Sequence, residues 1–575
     1  MKKSGFKLFT FLLLIVVLVN VAARREASLA QGTADPRFGA VESFWAPDEA
    51  ADLGVGWERI LFYWSEIQPT GPGDWNTLHV LEEWLVEANA QGRTIVGLLK
   101  NTPPWATDDV PFSGVPRGLY LPVNDPDNLW ATYVRRAATY YGPLGVHHWI
   151  IWNEPDIAPD VYGHEFSGSA QDYYQLVKVA YQVMKQVDPN VTIHLGGMTY
   201  WHEPGYLRRY LQIATADPSA AANNYYFDVI TYHIYFRPET IYTIVGNAFA
   251  AQQEFGIPLK PVWVNETNAR PSMDPEWPVQ VHSFQIDLEQ QAWYIVQAHA
   301  IGFNSGAARM GVYKLVDINM APGDESWGLI RPYDFSKRPA YHAYQTTIQY
   351  LAGFTYPVRR EQGSHYYIFT FPRPEGTTRV MWARQPTAVT LRVPALADSA
   401  LLVTALGESR PITPENGSYT IHLDGARCYS DCYMGGPPLF LVEEAVTDQA
   451  LPAAVPVLST ATPEAALATA TVITPTITVT PTVMATRTAT AVPTGTATAL
   501  PPATTPTERP TRTLTPTSSP TLAATEVALV QETAVPTPTP IPLPITSETA
   551  FNSWWLIAAA LFLFSFMAIW TWKRK

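Results

Sequence analysis

The sequence predicts an α/β protein. It reads as a (β/α)8 TIM barrel, followed by a small antiparallel β-sandwich, a disordered Thr/Pro-rich stalk and a C-terminal transmembrane helix. Three observations predict this. Between residue 36 and about residue 350, eight short apolar runs alternate with helical stretches, as parallel strands joined by helical crossovers do. From residue 351 to residue 446 the period drops to two, with turn residues between the runs. Residues 451–550 contain no aromatic side chain, and an apolar segment of membrane length follows them.

The eight runs read as strands are RFGAVE (37–42), WERILFYW (57–64), RTIVGLL (93–99), HHWIIW (147–152), TIHLGG (192–197), FDVITYH (227–233), PVWVN (261–265) and GVYKLV (311–316). Two intervening helices are well marked. TLHVLEEWLVEANAQG is expected to start from an Asn76 cap and stop at Gly92. DYYQLVKVAYQVMKQVDP places apolar residues three and four apart and stops before Pro189. An open doubly wound sheet is the alternative. It calls for a Gly-rich phosphate loop after the first strand, and FGAVESFW is no such loop. In the second region, SHYYIFTFPRPEGTTRVMWARQ reads as a hairpin around Glu375 and Gly376, and TAVTLRVPAL and GSYTIHLDG as further strands.

Both ends read as membrane-directed. Residues 1–30 have a basic start, an apolar stretch and small residues, the pattern of a signal peptide cleaved after Ala23 or Ala30; an uncleaved anchor is the alternative. Residues 451–550, rich in Thr, Pro and Ala, bury too little apolar area to offset ordering entropy and form a semi-rigid stalk. Residues 553–572 form the expected membrane helix, about 27 Å from Trp554 to Trp572 at helical rise, with tryptophans at both ends. Lys573, Arg574 and Lys575 put the tail on the cytoplasmic side, so the folded part is expected at the extracellular face. LPITS (543–547) also resembles a sortase signal, with Ser547 where that signal has glycine.

The formal net charge of -13, with no Lys/Arg run in the folded region, argues against a nucleic-acid surface. The two cysteines, Cys428 and Cys432, lack the second pair of a zinc site. In an exported protein they can close a small disulfide loop. The absence of an H-E-x-x-H motif or clustered strand-end His and Asp disfavours a metallohydrolase, and no metal or other cofactor is called for.

In such barrels the reactive groups sit at the C-terminal ends of the strands. Glu154 falls there in IIWNEPD, on the fourth strand, and Glu266 in PVWVNETN, on the seventh. One glutamate after a strand is ordinarily a loop residue or an arginine's partner. Two at opposite positions of one barrel are harder to assign to such plain roles.

These residues resemble the clan A retaining glycoside hydrolases, and above all family 39, whose members include β-xylosidases and α-L-iduronidases. WNEP and the second glutamate carry the resemblance. DYYQLVKVAYQVMKQVDPNVTIHLGG and WGLIRPYDFSKRPAYHAY extend it over residues 36 to about 350. The resemblance implies Glu154 as acid/base and Glu266 as nucleophile. Arg59 and Tyr235 would hold the nucleophile, and His233 would touch it or the sugar. Asn153 would bind the sugar 2-hydroxyl, and Trp105 and Trp327 would stack on sugar faces. Plainer readings stand beside these. Arg59 would neutralise Glu42 or Glu58, and His233 would be a core histidine. His147 and His148 would be structural, Trp45, Trp64 and Trp201 packing, and Glu42, Glu66 and Glu203 surface or salt-bridged. One departure is that VYKLVD puts Tyr313 or Lys314 where the family has a tryptophan, and a lysine there would favour an acidic sugar.

The expectation is a surface-anchored retaining glycosidase acting on oligo- or polysaccharide by double displacement. The alternative is a non-catalytic glycan-binding or adhesive protein on the same barrel. The sugar, the linkage and the oligomeric state are not written in these motifs.

Overall fold

A computed structural model of the chain describes residues 34–279, 284–318, 320–321, 323–324, 326–429, 431–445 and 453–457. The expected signal peptide, nearly all of the stalk and the expected membrane helix lie outside them. Among the described residues, no helix is long and apolar enough to cross a membrane.

Eight parallel strands form the barrel: β1 Phe38–Val41, β2 Trp57–Tyr63, β3 Thr94–Lys100, β4 Val146–Ile151, β5 Thr192–Leu195, β6 Ile230–Tyr235, β7 Val262–Asn268 and β8 Arg309–Val312. Pairing runs in chain order from β1 to β5 and from β6 to β8, and β1 returns to pair with β8. The isolated bridges His194–Val229 and Met198–Tyr232 close the remaining seam between β5 and β6. All eight expected strands are present, with ends shifted by up to a few residues. The closed circuit excludes the open doubly wound sheet.

The strand period of two divides the side chains. On β2, Ile60 and Phe62 face the outer core, whereas Trp57 and Leu61 join an interior cluster with Val96, Leu98, Ile150 and Trp263. Gly39 and Gly311 make room for the Trp57 indole, since a Cβ at either would strike that ring. By the same alternation, Arg59 and Tyr63 of β2 and Lys100 of β3 point into the barrel, toward its C-terminal mouth.

The helix Ala170–Val187 starts with a Ser169–Asp172 capping box and ends at Asp188, as its periodicity predicts. The helix expected from Asn76 instead begins at Glu82. Asn76 is not its cap: the side-chain oxygen accepts from Leu78 N in a local turn, and that competing bond delays the helix.

The second region forms two antiparallel sheets. One, ordered β14-β13-β16-β11-β10-β9, combines β9 Arg359–Gln362, β10 Tyr366–Arg373, β11 Gly376–Ala383, β13 Ala400–Thr404, β14 Ser409–Ile412 and β16 Leu439–Glu443. The other pairs β12 Val389–Pro394 with β15 Ser418–Leu423 and β17 Val455–Pro456. Strand β17 comes from the segment expected to be stalk, so the sandwich reaches past residue 446. Both faces of the larger sheet are buried. Ile368 and Met381 face the second sheet, while Phe369, Phe371, Val380 and Trp382 join the barrel's core.

A loop of the sandwich also grips the barrel. Cys428 and Cys432 are joined in a disulfide. Around it, Arg427 pairs with Asp287 and Glu289, and Arg237 with Asp431. The Gln297 side chain bonds the backbone of Gly435 and Gly436. Tyr433 packs against Phe284, which stacks on Phe236 at the end of β6 with ring centroids 4.0 Å apart.

Candidate active site

The end of β4 is a tied turn. Trp152 and Glu154 both adopt left-handed backbone angles (φ 70° and 42°), which cost a non-glycine residue about 1–3 kcal/mol each. Surrounding bonds hold them there. Trp152 N donates to Leu99 O at the end of β3 (2.8 Å), and its indole N–H to Glu165 O (2.8 Å). Glu154 N donates to Gly197 O beyond β5 (3.0 Å). Asp156 accepts from Thr199 N, Thr199 Oγ1 and Tyr200 N at 2.9–3.0 Å. The strand ends at Ile151, before the left-handed Trp152, and Pro155, with no ladder donor, keeps it from resuming.

Glu266 reaches the same place by a different device. Strand β7 carries a bulge: Tyr232 pairs with Val264 but His233 with Glu266, and the register toward β8 slips between Val264 and Thr267. A bulge re-aims side chains. Here it turns Glu266 toward Arg59 and Tyr235, whose guanidinium and hydroxyl each donate to one carboxylate oxygen.

His233 lies between the two acids. Its Nδ1 is 2.7 Å from Glu154 Oε1 and 3.4 Å from Glu266 Oε2. Oxygen atoms of the two carboxyls lie within 4.8 Å of each other. Gly197 packs flat against the imidazole, and a Cβ there would collide with it. Burial pulls the His233 pKa down to about 4, so the ring is neutral near pH 7.

Both glutamates are only 2% exposed, yet they titrate in opposite directions. Burial, then Glu165, Glu266 and Asp156, push the Glu154 carboxyl well above the ordinary carboxylate range, with Lys100 opposing. Burial also pushes Glu266 up. There Arg59 and the Tyr235 hydroxyl outweigh it and hold the carboxyl below its ordinary value. Glu154 therefore holds its proton to higher pH than Glu266 does.

The other expected residues fall as follows. Asn153, beside Glu154, has a buried side-chain oxygen with no partner, an acceptor left for a hydroxyl. Trp327 stands edge-on to Tyr235 (4.8 Å between centroids) and near Tyr313 (6.0 Å), so the loop after β8 returns a tryptophan to the site. Arg270 lies over its ring. Trp105 sits edge-on to Trp64, with its indole N–H on Gln68 O, and so packs on the helix after β2.

The plainer readings divide. Arg59 serves Glu266, while Glu58 pairs with Arg93. His148 bonds His194, and His147 pairs with Asp188. Glu203 pairs with Arg209. Glu42 is salt-bridged but buried, with Lys314 Nζ at 2.7 Å from its Oε2. Lys100 and Glu165, 2.5 Å apart beside the acid/base candidate, were not expected from sequence.

Glu154, His233 and Glu266 together offer three donor atoms close enough to share a metal ion. Both Glu266 oxygens already accept hydrogen bonds, and the Arg59 guanidinium disfavours a second cation beside them. The set suits proton transfer and nucleophilic attack.

No protein-family model matches the chain, and no curated protein matches it. Solved structures do. A family 39 glycoside hydrolase from Bacteroides cellulosilyticus WH2 superposes with a TM-score of 0.55 at 18% identity, covering 71% of this chain and 81% of that one. A family 39 enzyme from Xanthomonas axonopodis pv. citri gives 0.48 at 15% identity, over 72% and 95%. A family 30 endoxylanase from Clostridium papyrosolvens gives 0.48 at 13% identity, over 72% and 98%. The barrel and its sandwich thus share the fold of the first of these, a family 39 glycoside hydrolase.

Proposed function

We propose that the protein is a retaining glycoside hydrolase that cleaves O-glycosidic bonds of oligo- or polysaccharides. The observation that carries this reading is the pair of buried carboxyls with one oxygen of each within 4.8 Å, Glu154 pushed toward keeping its proton and Glu266 toward losing it. Retaining enzymes place their two carboxyls about 5–5.5 Å apart, and inverting enzymes about 6.5–9.5 Å, to admit a water. The fold shared with a family 39 glycoside hydrolase is in keeping with it.

In the first step Glu154 gives its proton to the leaving oxygen as the glycosidic bond breaks, and Glu266 attacks the anomeric carbon to form a glycosyl ester. In the second, Glu154, now a carboxylate, takes a proton from water, which displaces Glu266 and frees the sugar with net retention. Arg59 and Tyr235 keep Glu266 ionised and stabilise it again as the ester breaks. Asn153 takes the 2-hydroxyl, a bond that tightens as charge grows on the ring. A glycan-binding protein has no use for two carboxyls whose affinities for a proton are pushed in opposite directions.

We place the enzyme at the outer face of the cell membrane, supported by the signal-like start, the stalk composition and the apolar segment 553–572. The Cys428–Cys432 disulfide suits an oxidising compartment.

Incubation of the full chain with a panel of 2-fluoro aryl glycosides tests the reading. Accumulation of a glycosyl ester on the peptide bearing Glu266, seen by mass spectrometry, is the expected result. Cleavage with inverted configuration, or a label elsewhere, would overturn it.

A further inference from the structure

The mouth of the barrel holds two lysine–glutamate pairs that the two-carboxyl mechanism does not use. Lys100 is the last residue of β3, on its inward face, and its ammonium is 2.5 Å from Glu165 Oε2. The carbonyl of Glu165 also takes the Trp152 indole N–H, which fixes this pair beside the Glu154 turn. Glu42 follows β1, with its backbone N–H on Arg59 O, and its carboxylate takes the Lys314 ammonium at 2.7 Å. Lys314 follows Tyr313, whose ring lies 6.2 Å from that of Tyr235, the residue bonded to Glu266. One pair therefore adjoins the acid/base and the other the nucleophile's partner. Tyr63, at the inward end of β2, lies between them: the Lys100 ammonium is 5.5 Å from its ring, and the charges of Glu165 and Glu42 both act on its hydroxyl.

Resting on the glycosidase reading, we propose that Lys100–Glu165 and Glu42–Lys314 form the wall that reads the hydroxyls of the sugar held against Glu266, and that this wall selects an uncharged sugar with adjacent free hydroxyls over a uronic acid. An ammonium bonded to one carboxylate oxygen keeps donors to spare, and the carboxylate keeps lone pairs. Side by side, they match two neighbouring hydroxyls, one accepting and one donating. A uronate carboxylate finds no free cation on this wall. To reach Lys314 it must displace Glu42 or stand beside it, like charge against like charge in a water-poor site. Burial pulls the Lys314 ammonium toward losing its proton. Glu42 more than offsets this, so the partnership is intact at neutral pH. The other carboxylate facing Lys314, Asp317, is itself paired with Arg338. The lysine after β8, read from sequence as a sign of an acidic substrate, is thus already spoken for.

The test uses the full chain and 4-nitrophenyl glycosides that share a leaving group: α- and β-glucosides and galactosides against the matching glucuronides and galacturonides. For the best uncharged substrate, kcat/KM is expected to exceed that of its uronide by about a hundredfold, and Glu42→Gln to narrow the ratio by about tenfold by leaving Lys314 unpaired. Lys314→Met is expected to lower turnover of the uncharged sugar without narrowing the ratio. A wild-type preference for uronides overturns the proposal and leaves the glycosidase reading standing. So does an unchanged ratio in both Glu42→Gln and Glu165→Gln, provided their circular dichroism matches wild type. If no aryl glycoside is cleaved, the glycosidase reading falls, and calorimetry decides the charge claim: tighter binding of D-glucuronate than of D-glucose overturns it, and the reverse upholds it.

Discussion

The ends of β4 and β7 present the same side chain, at the same depth, to the same cavity, and the two behave as different chemical groups. At Glu154 the neighbours are Glu165, Glu266, Asp156 and a neutral histidine, so burial goes unopposed except by Lys100 and the carboxyl is pushed well above its ordinary range. At Glu266 a guanidinium and a phenol donate to the two oxygens, and equal burial is overcome. The backbones differ in parallel. Glu154 hangs from a strained turn tied to β3 and β5, and Glu266 from a bulge within a continuous strand. Role is assigned by the donors around each carboxyl rather than by its solvent exposure.

The largest expected effect comes from removing the ionised partner. Glu266→Ala should lower kcat on an aryl glycoside by about 10⁴ or more, since no other group can form the ester. Added azide should restore turnover with inverted product, read by polarimetry or NMR. Glu154→Gln should lower kcat/KM on natural glycans by about 10²–10⁴ while sparing substrates with acidic leaving groups. It also tests the raised pKa. Wild-type activity should fall at high pH as Glu154 deprotonates and at low pH as Glu266 protonates, and the variant should lose the alkaline limb alone. Tyr235→Phe removes one charge-assisted bond of about 1.5–3 kcal/mol. The acidic limb should then move to higher pH, because Glu266 is less well held ionised. Gly197→Ala acts only indirectly: its Cβ would strike the buried His233 ring and push it from both carboxyls, so both limbs of the profile should move. If Glu154→Gln shifts the acidic limb instead, the two roles are exchanged and the comparison breaks.

What the sequence carried, and what it withheld, follows from the range of each interaction. The strands were legible because alternation and buried apolar runs are local signals. Glu154 and Glu266 were legible because each follows such a run and an asparagine. The β7 bulge was not, since it is defined by register with β6 and β8 and leaves no mark in VWVNETN. Nor were the Lys–Glu pairs: Lys100 and Glu165 are 65 positions apart and Glu42 and Lys314 are 272, with no spacing rule linking them. Trp105 was expected at the sugar because the C–H groups of a sugar face suit an aromatic plate. Its indole N–H satisfies the Gln68 carbonyl, a local bond that fixes the direction of a ring that stays partly exposed. β17 was hidden because two residues of Ala/Pro/Val-rich chain read as linker until a partner strand is present.

The grip of the sandwich loop on the barrel has a consequence for how the gene can be cut. Tyr433 and Phe284 back Phe236, the immediate neighbour of Tyr235. A recombinant barrel ending near residue 351 would uncover a sheet-sized apolar face and slacken the segment beside the phenol bonded to Glu266. Swapping the downstream module for a foreign one would do the same. Engineers and evolution alike must carry these two bodies as one heritable unit.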